Sequence, residues 1–246
     1  MKILALDLAS ESCSAALWQD GTLIGRDAPA ARGHGGQLLL MVDALLDESG
    51  TALSALDAIA FGRGPGAFTG LRLAASVTQG LAFAAGLPVI PVSDLRAMAQ
   101  QLMTPPDPAA RVLVCHDARM GEVYWAGFVS IEGCAVEDTA EAVARPADMI
   151  ARARSWLEAA SAAGAASAAG AGSGFAAYPA LAPLGAQLAR VAATIRPRAR
   201  EIALLAAHDG LGAALPPEQA LPVYLRNDVA AIPAASALGP SGPRPM

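Results

Sequence analysis

The densest group of residues with chemical potential is Gly62-Arg63-Gly64-Pro65-Gly66-Ala67-Phe68-Thr69-Gly70-Leu71-Arg72. It joins an apolar run that reads as a buried strand, Ala58 to Gly62, to a helical pattern from Thr69 to Ala85. At such a junction glycines let backbone N–H groups crowd around an anion. No Lys-Ser or Lys-Thr follows the glycines, so the side chains with which a Walker loop holds phosphate and metal are missing. A tight strand-to-helix turn with Thr69 as N-cap accounts for the same residues. The residue pattern leaves both readings open.

Two aspartates stand in matching positions. Asp7 ends a short apolar run and precedes Leu8-Ala9-Ser10; Asp117 ends Leu113-Val114-Cys115-His116 and precedes Ala118-Arg119-Met120-Gly121. Actin-like ATPases and sugar kinases carry an aspartate here, followed after one intervening residue by a glycine whose missing Cβ admits nucleotide phosphate. Ala9 replaces that glycine, the Asp117 turn also lacks one at the close-approach position, and Gly170 to Gly174 reads as a flexible loop without an acidic residue. Asp7, Ala9 and Asp117 therefore read as degenerate phosphate turns, with weak or absent ATP hydrolysis by this chain alone.

Other chemistries find less support. His34, His116 and His208 form no H-x-x-x-H or H-E-x-x-H pair, so no metal site is expected and His116 reads as a strand residue. There is no G-x-S-x-G elbow, and Asp43 and Asp47, one helical turn apart, read as a solvated stripe. Cys13, Cys115 and Cys134 are scattered, without zinc or disulfide spacing, and read as reduced, packed thiols of a cytosolic protein. No residue earns a catalytic role.

The chain has 246 residues, 54% apolar and 16% charged, enough to bury two modest cores. Its formal charge of −5 argues against a protein that grips a phosphate backbone unaided. The N-terminus reaches Asp7 too soon for a signal peptide and no apolar run has membrane length, so a cytoplasmic protein is expected.

Strands are predicted at Ile3 to Asp7, Cys13 to Trp18 and Leu23 to Ile24, with Asp20-Gly21 as a hairpin turn. A helix over Gln37 to Ser49, the Ala58 strand, the Thr69 helix, a strand at Val89 to Val92 and a helix at Asp94 to Leu102 follow. Met103 to Arg111, with Pro105, Pro106 and Pro108, breaks both periodicities. The opening pattern then returns as strands at Val112 to His116, Glu122 to Ile131 and Cys134 to Glu137. A helix at Pro146 to Ala160, an uncharged loop from Ser161 to Gly174, a helix at Glu201 to Leu211 and a strand at Val223 to Leu225 complete the pattern. The expected organisation is two duplicated α/β lobes, 1–106 and 107–228, and a disordered tail over 229–246.

The first two long helices are more apolar than one core requires. In the first, Leu38, Met41, Val42 and Leu45 suffice to cover a sheet, leaving Leu39, Leu40 and Leu46 for a second layer or another chain. In the second only Arg72 is charged, and Gly70, Ala74, Thr78, Ala82 and Ala85 would admit a neighbouring helix closely. Periodicity does not separate an interface from an internal layer of a large core.

Taken together, these residues resemble the TsaB (YeaZ) family. The carriers are Ile3 to Asp7 with Cys13 to Trp18, the block Gly62 to Arg72, Gly80-Leu81-Ala82, Val92-Ser93, Asp117 to Tyr124 and Pro222 to Arg226. Ala67 stands where the family has a serine, and Met120 where it has a basic residue.

The resemblance implies a two-lobed actin-like (ribonuclease H-like) fold with a mixed sheet and flanking helices in each lobe. It also implies a role as a non-catalytic subunit in making threonylcarbamoyladenosine beside the tRNA anticodon. The implied partners are the metal-dependent transferase subunit TsaD, which the chain would hold in its active form, and through it the ATPase TsaE. tRNA would be met only as part of the complex, and the chain alone could self-associate into a homodimer. The implied partner face comprises Leu38, Leu39, Met41, Val42, Leu45, Leu46, Leu71, Ala74, Ala75, Thr78 and Leu81. Arg63, Gly64, Pro65, Gly66, Phe68, Thr69, Gly70 and Arg72 form the family loop. No cofactor of its own is implied, with nucleotide expected, if anywhere, at the partner interface. The alternatives are an independent ATPase or kinase of the same fold and an M22-type peptidase, the latter unsupported by the histidines.

Overall fold

The computed structural model describes residues 1–29, 34–162 and 168–226; the side chains at 34 and 160–162, and the tail expected at 229–246, lie outside that description. The chain opens with an antiparallel meander, β1 (Lys2–Asp7), β2 (Ser12–Gln19) and β3 (Thr22–Pro29). Asp20 and Gly21 join β2 to β3 with φ of 48° and 93°, the left-handed pair that a two-residue hairpin demands. Helix α1 (His34–Ser49) leads to β4 (Ala58–Gly62), which pairs parallel to β1; α2 (Phe68–Ala85) leads to β5 (Val89–Val92), then α3 (Asp94–Leu102). The first sheet runs β3-β2-β1-β4-β5. β4 is apolar throughout because helices cover both its faces.

The same order recurs after the proline-rich break. β6 (Arg111–Arg119), β7 (Glu122–Ile131) and β8 (Cys134–Glu137) form a second antiparallel meander. The short β9 (Ala142–Ala144) pairs with the start of β7 while β8 pairs with its end, so the two lie in line along one edge. Helix α4 (Pro146–Ala162), β10 (Ala169–Ala171), the one-turn helices α5 (Gly174–Ala177) and α6 (Ala182–Gly185), β11 (Val191–Ala192) and α7 (Ala199–Asp209) complete it. The expected mixed sheet with flanking helices is thus present in both lobes.

Three expectations are corrected. The stretch read as a loop from Ser161 to Gly174 continues α4 at its start and holds β10 at its end, parallel to β6. Its alanines and glycine show no alternation because both faces are buried. The strand expected at Val223 to Leu225 is extended chain outside either sheet, tied by the Val223 N–H to the Arg63 carbonyl (2.7 Å). The lobe expected to span 107–228 ends earlier, because α7 lies on the first sheet, Leu215 bridges to Val89, and Ala220 enters the core beneath α1 and α2.

The result is five layers: α1 and α2, the first sheet, α3 with α7, the second sheet, and α4 with the short helices. The middle layer belongs to both lobes. Ile3, Ala5 and Ile90 from one sheet and Val112, Val114 and Phe128 from the other pack on Leu95, Met98, Ile202 and Leu205 in one continuous core. Arg96 on α3 makes a two-pronged contact with Asp209 at the end of α7 (2.5 and 2.8 Å), and its Nε donates to the Ala135 carbonyl of β8 (2.6 Å). A shared core predicts one cooperative unfolding transition. Ile202→Ala should cost about 2–4 kcal/mol and lower that single transition in calorimetry; two separate transitions, only one of them shifted, would contradict a shared core.

Candidate functional site

Asp7 and Ala9 sit at the C-terminal end of β1, and Asp117 at the matching end of β6, so strand order places both turns at the crevice between lobes. A cavity of about 610 Å³ lies there, lined by Leu8, Ala9, Ser10, Gly66, Thr69 and Gly70 on one side and His116, Asp117, Arg119 and Ser173 on the other. The duplicated turns do face each other, but their aspartates have diverged.

Asp7 does not reach the cavity. It is fully buried, its Oδ1 accepts the Ala9 N–H at 2.8 Å, and it faces Asp94, the first residue of α3. Gly62 lies between them: a Cβ there would come within 2.8 Å of Asp7 Oδ1 and collide with Asp94 Oδ1. Asp94 Oδ2 accepts the Gly64 N–H at 2.5 Å, and the Asp94 N–H donates to the Gly64 carbonyl at 3.0 Å. Loss of hydration raises both acids, Asp7 to about 6 and Asp94 well above the ordinary range, the latter further by the Asp7 charge beside it. Of the two, Asp94 is driven the more strongly towards its protonated form.

The family loop closes over this pair. The Ala67 N–H donates to the Ala9 carbonyl at 2.8 Å, and a Cβ on Gly66 would lie 2.5 Å from that same oxygen. A Cβ on Gly70 would overlap the Leu8 carbonyl. The glycines therefore bring α2 against the first turn, and the N–H groups of Ala9, Gly64 and Ala67 already have acceptors in the protein. This favours the strand-to-helix turn over the anion cradle, with one correction: the helix begins at Phe68 with Ala67 as N-cap, and Thr69 is an exposed residue of the first turn.

The rest of the loop ties the lobes together. The Arg63 guanidinium meets Glu141 at 3.2 Å, and the Ser93 hydroxyl also donates to Glu141. Gly64, at φ 108°, lies where a Cβ would meet the Val223 carbonyl at 2.8 Å. Pro65 is buried, and Phe68 and Arg72 pack with Tyr224 at the surface.

In the second lobe Gly172 and Gly174 fold β10 tightly onto the Cys115 carbonyl, so this stretch is a built turn rather than a flexible loop. Ser173 Oγ accepts the Asp117 N–H at 3.1 Å and lies within hydrogen-bonding distance, 3.2 Å, of His116 Nδ1. Burial pushes His116 down to about 4, keeping it neutral. Burial opposes the charge on Asp117, but the Tyr178 hydroxyl at 2.7 Å, the Arg119 N–H at 2.8 Å and nearby cations outweigh it and hold the carboxylate below its usual range. At the mouth, Glu11 receives Arg119 at 3.2 Å and Arg196 at 2.6 Å, a bridge between lobes.

The structure also sorts the helix residues. Leu38, Val42, Leu45, Leu71, Ala74, Ala75 and Thr78, expected on a partner face, are buried in the first lobe's own core; Met41, Leu46 and Leu81 are half-buried against it. The outer side instead shows Leu39 (42% exposed), Leu40 (70%) and Phe83 (62%), with Ser76 and Gly80 between Arg72 and Phe83 along α2. Phe83 was not singled out because nothing in the pattern marks which apolar face is outward.

Asp94, Glu141, Glu11 and Ser173 also went unread. Asp94 follows Ser93, an N-cap whose Oγ accepts the Arg96 N–H, so it resembled an ordinary first-turn acid. Among the described residues no group of three or more His, Cys, Asp or Glu side chains converges as a metal site, and no helix is long and apolar enough to cross a membrane.

Replacing Asp94 tests the buried pair. Both acids titrate above their unfolded value of 3.8, so the folded state retains protons that the unfolded chain releases. Their contribution is complete below that value and declines as pH rises through about 6 and beyond. His116, depressed to about 4 from 6.5, works oppositely but is finished by pH 6.5. Asp94→Asn, whose amide donates to Asp7 without a titrating proton, should therefore match wild type near pH 5 and exceed its stability at pH 8 by about 1–2 kcal/mol. Urea titrations at both pH values check this; an equal loss at both would contradict it.

Comparison with known proteins is consistent with this architecture. The family model described as "TsaD: tRNA N6-adenosine threonylcarbamoyltransferase" matches residues 28–234. The chain is 39% identical over 236 residues to the tRNA threonylcarbamoyladenosine biosynthesis protein TsaB of Escherichia coli K12, covering 94% of this chain and 96% of that one. It is 47% identical over 129 residues to the TsaB protein of Haemophilus influenzae, covering 52% and 54%. A crystal structure from Pseudomonas aeruginosa, described as an uncharacterized protein with similarity to peptidase YEAZ, superposes with a TM-score of 0.78 at 40% identity over 92% of this chain and 99% of that one.

Proposed function

Because the chain belongs to the TsaB (YeaZ) family, within the wider family that the transferase model describes, we propose that it is a non-catalytic subunit in the biosynthesis of tRNA threonylcarbamoyladenosine. In this reading it binds the metal-dependent transferase subunit TsaD and holds it active, and the ATPase TsaE joins through that complex. tRNA is met in the assembly, in the cytoplasm, and any nucleotide lodges at a shared interface.

One observation carries the non-catalytic part. Asp7, the aspartate that would serve phosphoryl chemistry in the actin-like fold, is buried against Asp94 behind a loop that packs on its turn. A carboxyl group with no route to the crevice does not position a metal or an attacking water. The peptidase alternative gains nothing from the side chains at the crevice, where Ser173 is engaged by the Asp117 N–H and a neutral, half-buried His116.

The subunit part is supported by the outer side of α1 and α2, where Leu39, Leu40 and Phe83 expose large apolar surface beside the small residues Ser76 and Gly80. An open glycine and serine on a helix admit a second helix at close range. The same surface would also allow the isolated chain to pair with a second copy.

The test is reconstitution with the transferase subunit from the same organism. Leu40→Glu with Phe83→Glu should leave the melting temperature within a few degrees of wild type, since both side chains face solvent. It should also abolish co-purification and threonylcarbamoyladenosine formation in tRNA, read by nucleoside mass spectrometry. Full modification by the wild-type chain without the transferase subunit would refute the proposal.

A further inference from the structure

Arg72 is the one charged residue of α2, and it stands at the surface in a fixed pose. Its guanidinium carbon lies 3.9 Å above the centroid of the Phe68 ring and 6.0 Å from that of Tyr224, and its Nε donates to the Tyr224 hydroxyl at 3.0 Å. The two rings are themselves 5.4 Å apart and roughly half exposed. Among the described residues no carboxylate lies within ion-pair distance of Arg72. The fork of terminal N–H groups therefore points outward, oriented and without an acid to receive it.

We infer that Arg72, held by Phe68 and Tyr224, is the polar anchor of the partner surface and receives a side-chain carboxylate of the protein that packs on α1 and α2. This rests on the docking reading above and adds the chemistry of what docks. Stacking and the Tyr224 hydrogen bond have already restricted the side chain, so a bidentate contact forms with little further ordering. An arginine set among half-exposed aromatic rings has the composition of the energetic centre of protein interfaces. Continuity with the apolar surface is direct: α1 and α2 begin at the same end of their layer, with the Cβ position of Gly35 only 3.3 Å from Leu73, the neighbour of Arg72. Leu39 and Leu40 follow one turn further along α1.

A phosphate backbone fits this surface less well, because its recognition draws on several free cations together. Here Arg119 and Arg196 are engaged by Glu11, and Arg226 by Glu122. One free guanidinium between apolar rings matches one carboxylate flanked by apolar residues.

The experiment measures the affinity of the full chain for the transferase subunit at low and high salt. Arg72→Ala should weaken binding about 10-fold and Arg72→Glu about 100-fold, with Lys restoring part of the loss because it lacks the fork. Tyr224→Phe, which keeps the ring and frees Nε, should fall between wild type and Ala. Wild-type affinity should drop more steeply with salt than that of Arg72→Ala. Glutamate near the start of α2 suits the helix dipole, so melting temperature should not fall. Wild-type affinity for Arg72→Glu alongside failure of Leu40→Glu would overturn the anchor and leave the docking surface standing. Wild-type affinity for Leu40→Glu would overturn the docking reading itself, and an Arg72 effect seen on tRNA binding alone would overturn the protein carboxylate in favour of phosphate.

Discussion

The close approach of the Gly62–Gly70 loop to the turn after β1 is the constraint on which the rest of the molecule depends. It is possible because three positions carry no side chain: Gly62 between the Asp7 and Asp94 carboxyl groups, Gly66 on the Ala9 carbonyl and Gly70 on the Leu8 carbonyl. A methyl group at Gly66 or Gly70 would push the loop and α2 off the turn after β1, and one at Gly62 would collide with both carboxyl groups. With α2 in place, Asp7 and Asp94 lose their water, which pushes both towards their protonated forms, and the N–H groups of the loop find acceptors inside the protein. Packing that seats one helix thus removes the phosphate site that the strand order would otherwise create.

The second lobe shows the same architecture under a different constraint. Gly172 and Gly174 bring β10 and its turn onto β6, but no acid comes to face Asp117; Ser173 and Tyr178 do, and its carboxylate stays ionised at the crevice. Two turns related by duplication therefore hold one carboxyl group buried beside a second acid and another charged and hydrogen-bonded. Between them the shared α3–α7 layer, the Arg96–Asp209 pair and the Glu11 bridge join the lobes. Opening the crevice by a hinge would expose a continuous apolar core, so the two-lobed plan serves as one body.

That body leaves α1 and α2 as an outer layer with apolar side chains on both sides. The inner side is consumed by the core, including Leu38, Val42, Leu45 and Ala74. The outer side leaves Leu40 and Phe83 exposed and holds Arg72 oriented between two rings. A surface of this kind is consistent with a subunit whose chemistry resides in a partner.

The sequence by itself determined the duplicated order of strands and helices, because the apolar runs of β2 and β4, the Asp20-Gly21 turn and the helical spacing of α2 are local signals. It also marked the glycine block and the Asp7 turn, since residues that tolerate close approach are few. Only the tertiary structure decided that α7 is shared between the two sheets, because a helix with buried alanines suits either of them. It alone revealed β10, whose Ala-Gly-Ala carries no alternation when both faces are covered. It alone paired Asp94 with Asp7, 87 residues apart, and chose which side of α1 and α2 is core. These last decisions depend on what lies across the gap from a side chain, and periodicity along one element holds no information about that.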